Sequence, residues 1–117
     1  MRILGQTTHH DASVCLLEDG NVLRFYKEER LNGVKRESPC ILGLYKIYEE
    51  FGDTMDYIVG EADDSCVPEI CKRLFPSAEV IDVKKYHHLC HASLAFYSSG
   101  FKEALTVVID REGSTVE

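Results

Sequence analysis

The feature that most constrains this chain is a change in the spacing of its apolar residues near position 39. Before that point, three short apolar runs, at 2–6, 12–17 and 22–27, have the composition of β-strands. Asp19-Gly20-Asn21 supplies a tight turn between the second and third runs, because Gly and Asn tolerate positive φ. The first third of the chain is therefore predicted to be antiparallel.

Beyond position 39, apolar residues recur at helical spacing and alternate with short strand-like runs. Three helices are predicted, each with a stop signal: 39–51 before Gly52, 68–75 before Pro76, and 87–99 before Gly100. Three strands are predicted between and after them, at 55–59, 79–83 and 104–109. The order βββαβαβαβ indicates the α/β class, with a mixed sheet covered by helices.

This order is typical of a ribonuclease-H-like domain, which is the half-unit of actin-like ATPase folds. Ferredoxin-like and other α/β sandwich arrangements remain open on the pattern alone. A length of 117 residues suits a single domain spanning positions 1–117.

Composition restricts the compartment and the partners. The net charge is −7, which disfavours a broad electrostatic grip on nucleic acid. Apolar runs are far shorter than the roughly 20 residues that cross a bilayer, and the start lacks the pattern of a secretory signal. The five cysteines form an odd set without a CxxC pair, so reduced thiols are expected. These observations predict a cytoplasmic protein that binds neither nucleic acid nor membrane.

Two polar segments in the first third are candidate ligand contacts. His10 lies in a loop of polar and small residues between two predicted strands, where it can act as a general base. The alternative is an exposed turn without a catalytic role. The stretch from Arg30 to Arg36 is a small basic island in an acidic chain, which is suited to an anionic ligand or is simply a solvated turn.

A histidine pair is the strongest indication of a metal site. His87 and His91 are four residues apart, so both lie on one face of the predicted helix, whereas His88 and Cys90 lie off that face. Asp110 ends the most apolar predicted strand and can add a carboxylate ligand, as in mixed sites for iron, manganese or zinc. The alternatives are solvent-exposed imidazoles and an aspartate that ends a strand in a turn.

Taken together, the segments HDASVCLLEDG, EERL with VKR, HHLCHASLAFYSSGFKEAL and a strand ending in D-x-x-G resemble the NodU/CmcH family of O-carbamoyltransferases. The resemblance extends from Met1 to Gly113 and is weakest between Leu42 and Val83. It implies the first lobe of an actin-like domain, with the second lobe in the same or a separate chain. An isolated lobe of this kind is expected to be inactive, and homo-oligomers are compatible with it.

The resemblance also implies a reaction. In this family a carbamoyl group passes from carbamoyl-adenylate, made from carbamoyl phosphate and ATP, to a hydroxyl of a small-molecule acceptor. It implies that His87, His91 and Asp110 bind a divalent metal, iron first and manganese or zinc as alternatives. It assigns general-base catalysis to His10. Lys35 and Arg36 can then neutralise substrate phosphate.

One departure and two alternatives accompany this assignment. The family has Asp-Gly-x-Gly where this chain has Arg111 after Asp110, and Arg111 cannot replace a glycine that lets backbone approach phosphate. A relative of the tRNA threonylcarbamoyl transferases is disfavoured because Leu89 stands between the histidines where that branch has glutamate, and because the chain is acidic. A non-catalytic scaffold or interaction lobe is the other alternative.

Overall fold

The computed structural model describes residues 1–36, 38–61 and 65–110. Within these ranges the chain forms five strands and four α-helices. The strands are β1 (Arg2–Thr7), β2 (Ser13–Glu18), β3 (Asn21–Lys27), β4 (Tyr57–Gly60) and β5 (Glu79–Asp82). The helices are α1 (Glu28–Asn32), α2 (Ile41–Phe51), α3 (Val67–Leu74) and α4 (His87–Ser99), and a short 3-10 turn (Lys84–Tyr86) precedes α4.

The five strands form one mixed sheet in the order β3-β2-β1-β4-β5. β1 pairs antiparallel with β2 and parallel with β4, so the sheet changes character at β1. The predicted tight turn joins β2 and β3, and Asp19 and Gly20 have φ values of 49° and 82°. Two successive positive φ values give a turn that matches the twist of a hairpin. The predicted α/β class with a mixed sheet is therefore confirmed.

The core lies between one face of the sheet and the helices α2 and α3. Leu4 of β1 is opposite Leu16 of β2 on one side and Ile58 of β4 on the other, so these three side chains point to the same face. Among the residues that the structure describes, the buried apolar side chains of this core are Leu4, Ala12, Val14, Leu16, Cys40, Leu44, Ile47, Met55, Ile58, Val67, Cys71, Leu74 and Phe75.

A buried carboxylate fixes the start of α2. Glu28 is only 2% exposed, and its two oxygens accept hydrogen bonds from the Leu42 N–H (2.7 Å) and the Gly43 N–H (2.9 Å). These are orphan donors of the first helical turn, which normally need a cap. Gly43 also lets α2 approach the sheet, because a Cβ there would lie 2.8 Å from Cγ2 of Val14. Glu28 thus joins α1 to α2.

The chain divides into two compact units, Met1–Asp82 and the residues from Val83 onward. The first unit holds the sheet with α1, α2 and α3. The second holds α4, whose observed bounds of His87–Ser99 are those predicted, with Gly100 as a left-handed C-cap at φ 78°. The single-domain organisation expected from chain length stays a prediction.

Two differences from the predicted order have physical reasons. The predicted last strand at 104–109 is wrong, because no residue there is in a β-ladder. Its apolar composition favours a strand, but a strand exists only where its backbone groups pair with another strand. α1 was not predicted because five residues of mixed charge carry no helical apolar spacing.

Over the ranges described, α4 is the longest helix at 13 residues, and none of the helices is long and apolar enough to cross a bilayer.

Candidate functional site

The three predicted metal ligands converge within the second unit. α4 places His87 and His91 one turn apart on one face, and Asp110 follows the apolar segment after the helix. Oδ2 of Asp110 lies 2.8 Å from Nε2 of His87 and 3.4 Å from Nε2 of His91, and the two Nε2 atoms are 3.2 Å apart. The side chains of His87, Asp110 and His91 are 26%, 33% and 54% exposed, so the group is open to solvent.

These separations match what a first-row divalent ion requires of its ligands. With metal–ligand bonds of about 2.1 Å, ligand atoms lie about 3.0 Å apart at octahedral angles and about 3.4 Å apart at tetrahedral angles. The observed separations of 3.2 and 3.4 Å lie within this range, and the separation of 2.8 Å lies just below it. Two imidazoles and a carboxylate are also a donor set that iron, manganese and zinc accept. The residues therefore fit the implied metal.

Electrostatics requires positive charge inside this group. Three electron-rich atoms within 3.4 Å of one another repel unless protons or a cation lie between them. Either the imidazoles donate N–H bonds to Asp110, or a metal ion replaces those protons. The two states differ in metal affinity and proton release, which an experiment can measure.

We call the side chains of His87, His91 and Asp110 the metal group of this chain. An open groove of about 300 Å³ lies beside them. It is lined by His91 and Ala95 of α4 and by Val107 to Asp110. Among the described residues, the side chains that could together hold a metal ion are those of His87, His91 and Asp110. Arg111, which stands where the resembling family has glycine, lies outside the described residues.

The candidate base His10 lies in the first unit, in the turn between β1 and β2. Its side chain is 72% exposed, and its Nδ1 is 2.8 Å from Oδ2 of Asp11. This hydrogen bond, with a smaller effect from Lys27, holds the pKa of Asp11 below its usual value despite some desolvation. Asp11 is therefore ionised near neutral pH and acts only as an acceptor, so the shared proton is on Nδ1 of His10. In the neutral form of the ring, Nε2 is then an acceptor, as a general base needs.

The candidate phosphate-binding residues Lys35 and Arg36 are both exposed in the turn that follows α1. Arg36 has a φ of 57°, and its backbone N–H donates to Oε2 of Glu29 at 3.1 Å. That hydrogen bond, followed by one from Lys27, lowers the pKa of Glu29. One hydrogen bond therefore joins this exposed turn to a carboxylate of α1.

Sequence reasoning missed three residues of this region. They are Lys27, Glu28 and Glu29, at the junction of β3 and α1. Lys27 contacts Asp11 beside His10, Glu28 accepts a hydrogen bond from the start of α2, and Glu29 accepts one from the backbone of Arg36. The available signal was the consecutive charged run KEER directly after a predicted strand. Such runs usually face solvent, so the pattern alone did not distinguish a buried Glu28 from a solvated one.

The six predicted site residues are divided between the two units. The side chains of His87, His91 and Asp110 come together in the second unit, whereas His10 and the Lys35–Arg36 turn lie in the first. In comparisons with known proteins, no protein-family model matches this sequence, and a search of curated proteins finds no significant match.

Proposed function

We propose that this chain is the metal-binding lobe of an O-carbamoyltransferase that carbamoylates a hydroxyl of a small-molecule acceptor. The observation that carries the proposal is the convergence of His87, His91 and Asp110 at metal–ligand separations. The resemblance of the HDAS and HHLCHA segments to the NodU/CmcH family supplies the reaction.

The sheet supports the proposed actin-like, ribonuclease-H-like lobe. Three antiparallel strands lead into two parallel strands, and α2 and α3 connect them on the covered face. Ligands of such sheets bind beyond the carboxyl ends of the parallel strands. His10 follows the carboxyl end of β1, and Glu61, which is 2.9 Å from Nε2 of the adjacent His9, follows that of β4.

In the proposed step, His10 accepts the proton of the acceptor hydroxyl at Nε2. The acceptor oxygen forms a bond to the carbamoyl carbon, and the bond from that carbon to the adenylate phosphate oxygen breaks, which releases AMP. Lys35 and Arg36 neutralise the negative charge on the phosphate as it leaves. Asp11 stabilises the imidazolium that forms on His10.

A divalent ion, iron first with manganese or zinc as alternatives, would be held by His87, His91 and Asp110 and would polarise phosphate or carbonyl oxygens as a Lewis acid. Carbamoyl phosphate and ATP supply the carbamoyl-adenylate in the proposed complete enzyme, whose second lobe is in the same or a separate chain.

A second candidate is a non-catalytic interaction lobe. It is favoured by the exposure of Leu105 and Ile109, which are 92% and 93% exposed on a largely apolar segment. Large exposed apolar surfaces mark contacts with partners. This candidate predicts self-association or partner binding without any dependence on metal, whereas the transferase lobe requires the metal group.

Metal titration of the purified chain separates the two candidates. Calorimetry with Fe²⁺ under anaerobic conditions, and with Mn²⁺ and Zn²⁺, should give one site per chain, with binding weaker in acid because protons compete for the imidazole nitrogens. His91→Ala and Asp110→Asn should each weaken binding at least tenfold, whereas His88→Ala, on the same helix, should not. Equal binding by the chain and by His91→Ala would refute the metal centre.

Transfer itself is tested with the second lobe restored. Carbamate ester and AMP should form from carbamoyl phosphate, ATP and a hydroxyl acceptor, and His10→Ala should reduce the rate about 100-fold or more. Undiminished transfer by a His87→Ala, His91→Ala double variant would contradict the proposed mechanism.

A further inference from the structure

We propose that Lys27 is a positioning residue that ties the His10 turn to the Arg36 turn, and that it acts on the His10 ring through Asp11. The inference rests on the proposed function, because His10 and Arg36 have their roles there. Lys27 acts on His10 and Arg36 only through Asp11 and Glu29, so it is not a catalytic residue.

The geometry links both turns through one ammonium group. Nζ of Lys27 lies 3.5 Å from Oδ1 of Asp11 and 3.3 Å from Oε1 of Glu29. The other oxygen of Asp11 is 2.8 Å from the His10 ring, and the other oxygen of Glu29 accepts the Arg36 N–H at 3.1 Å. Each carboxylate therefore uses one oxygen for Lys27 and the other for the site element that it holds.

Charge explains why a cation is needed at this position. Asp11 and Glu29 each have a carboxylate oxygen within 3.5 Å of this one nitrogen, so without its charge two nearby carboxylates would repel each other. The side chains of Lys27, Asp11 and Glu29 are 34%, 41% and 18% exposed, so water screens the pair only in part.

The backbone gives independent support. Asp11 and Arg36 are non-glycine residues at φ values of 65° and 57°, in the left-handed region that most side chains avoid. Such conformations persist where the surroundings hold them. Asp11 presents its side chain to Lys27. Arg36 donates its backbone N–H to Glu29, which is the other carboxylate that Lys27 contacts. The network around Lys27 therefore acts on both strained positions.

The consequence for the proposed chemistry concerns the proton on His10. Because the Asp11 carboxylate accepts the proton on Nδ1, removal of that carboxylate lets the ring adopt the other tautomer, in which Nε2 carries the proton and cannot accept one. Lys27 acts one step further away, because it holds the carboxylate through its other oxygen. The network therefore sets both the direction and the protonation pattern of the proposed base.

Nuclear magnetic resonance of the chain tests the inference directly. In Lys27→Met, the pKa values of Asp11 and Glu29 should rise toward their ordinary values because a cation is lost, and the Arg36 amide should exchange about tenfold faster. Lys27→Arg, which keeps the charge, should restore both. Lys72→Met, which removes the same charge from α3, is the matched control and should leave both readouts unchanged.

A second variant keeps the test decisive if Lys27→Met does not fold. Asp11→Asn suits the left-handed backbone because Asn tolerates that conformation. It should change the ¹⁵N shifts of His10 from a ring protonated at Nδ1 to a mixture of tautomers. Unchanged carboxyl pKa values in Lys27→Met, or an unchanged His10 tautomer in Asp11→Asn, would overturn the inference. Metal binding by the second unit is measured separately, so failure of the proposed function gives a different result.

Discussion

Replacement of Glu28 by alanine should destabilise the first unit more than its place in a run of charged residues suggests. Glu28 is 2% exposed and accepts hydrogen bonds from two N–H groups at the start of α2. Alanine removes both acceptors and leaves the amides of Leu42 and Gly43 without a cap.

The magnitude follows from the surroundings of the two amides. The hydrogen bond to the Gly43 N–H is buried and its acceptor is a carboxylate. Its loss leaves a buried donor without an acceptor, which costs about 1.5–3 kcal/mol. The bond to the Leu42 N–H is partly buried, and water can replace it at a cost of about 0.5–1 kcal/mol. Glu28→Ala should therefore lower the free energy of unfolding by about 2–4 kcal/mol. Glu28→Gln keeps one acceptor oxygen and should cost about half as much.

Urea unfolding followed by circular dichroism measures these differences as shifts in midpoint at constant slope. Glu49→Gln is the matched control, because Glu49 is an exposed carboxylate on α2, the helix whose start Glu28 caps, and its change should stay within about 0.5 kcal/mol. A loss below about 1 kcal/mol for Glu28→Ala would refute the assignment of Glu28 as the cap of α2.

Three further predictions concern other parts of the first unit. Gly60→Ala should destabilise by about 2 kcal/mol in the same unfolding assay, because its Cβ would lie 2.7 Å from the backbone oxygen of Gln6 in the paired strand. Burial raises the pKa of the Cys71 thiol to about 11, so in the folded chain Cys71 should react with a thiol reagent far more slowly than the exposed cysteines, as peptide mass spectrometry can show. The hydrogen bond to Glu50 raises the pKa of Tyr26, so this contact stabilises the fold below the ordinary phenol pKa and is lost as pH rises through the raised value. Phenolate absorbance of Glu50→Gln should show Tyr26 titrating at lower pH, and an unshifted curve would contradict the contact.

Local signals were sufficient to predict most elements of the fold. The hairpin turn at Asp19-Gly20 and the helix stop at Gly100 both depend on positive φ, which Gly and Asp indicate directly in a sequence. It was harder to predict which residues of a helix face the core. Tyr45 and Tyr48 of α2 directly follow the buried Leu44 and Ile47, yet both are exposed, because a tyrosine has an apolar ring and a polar hydroxyl and suits either environment.

In the candidate site, too, features that depend on local spacing were predictable, whereas features that depend on tertiary structure were not. The spacing of His87 and His91 predicts a shared face because both belong to one helix, whereas their convergence with Asp110 depends on the path of the intervening chain. Lys27 and Glu29 were not predicted, because contacts between turns depend on tertiary structure and on no periodic signal. The run at 104–109 has strand composition, but composition does not specify a pairing partner.

The change from antiparallel to parallel pairing at β1 has a consequence for the order of folding. Thr7 pairs with Ser13 across a separation of 6 residues, whereas Ile3 pairs with Tyr57 across 54. The longer closure costs about 2 kcal/mol more in chain entropy by the logarithmic dependence on loop length. We therefore expect the three-stranded meander to nucleate first and β4 to dock afterwards, so substitutions in the meander should slow refolding, whereas substitutions in β4 should mainly accelerate unfolding.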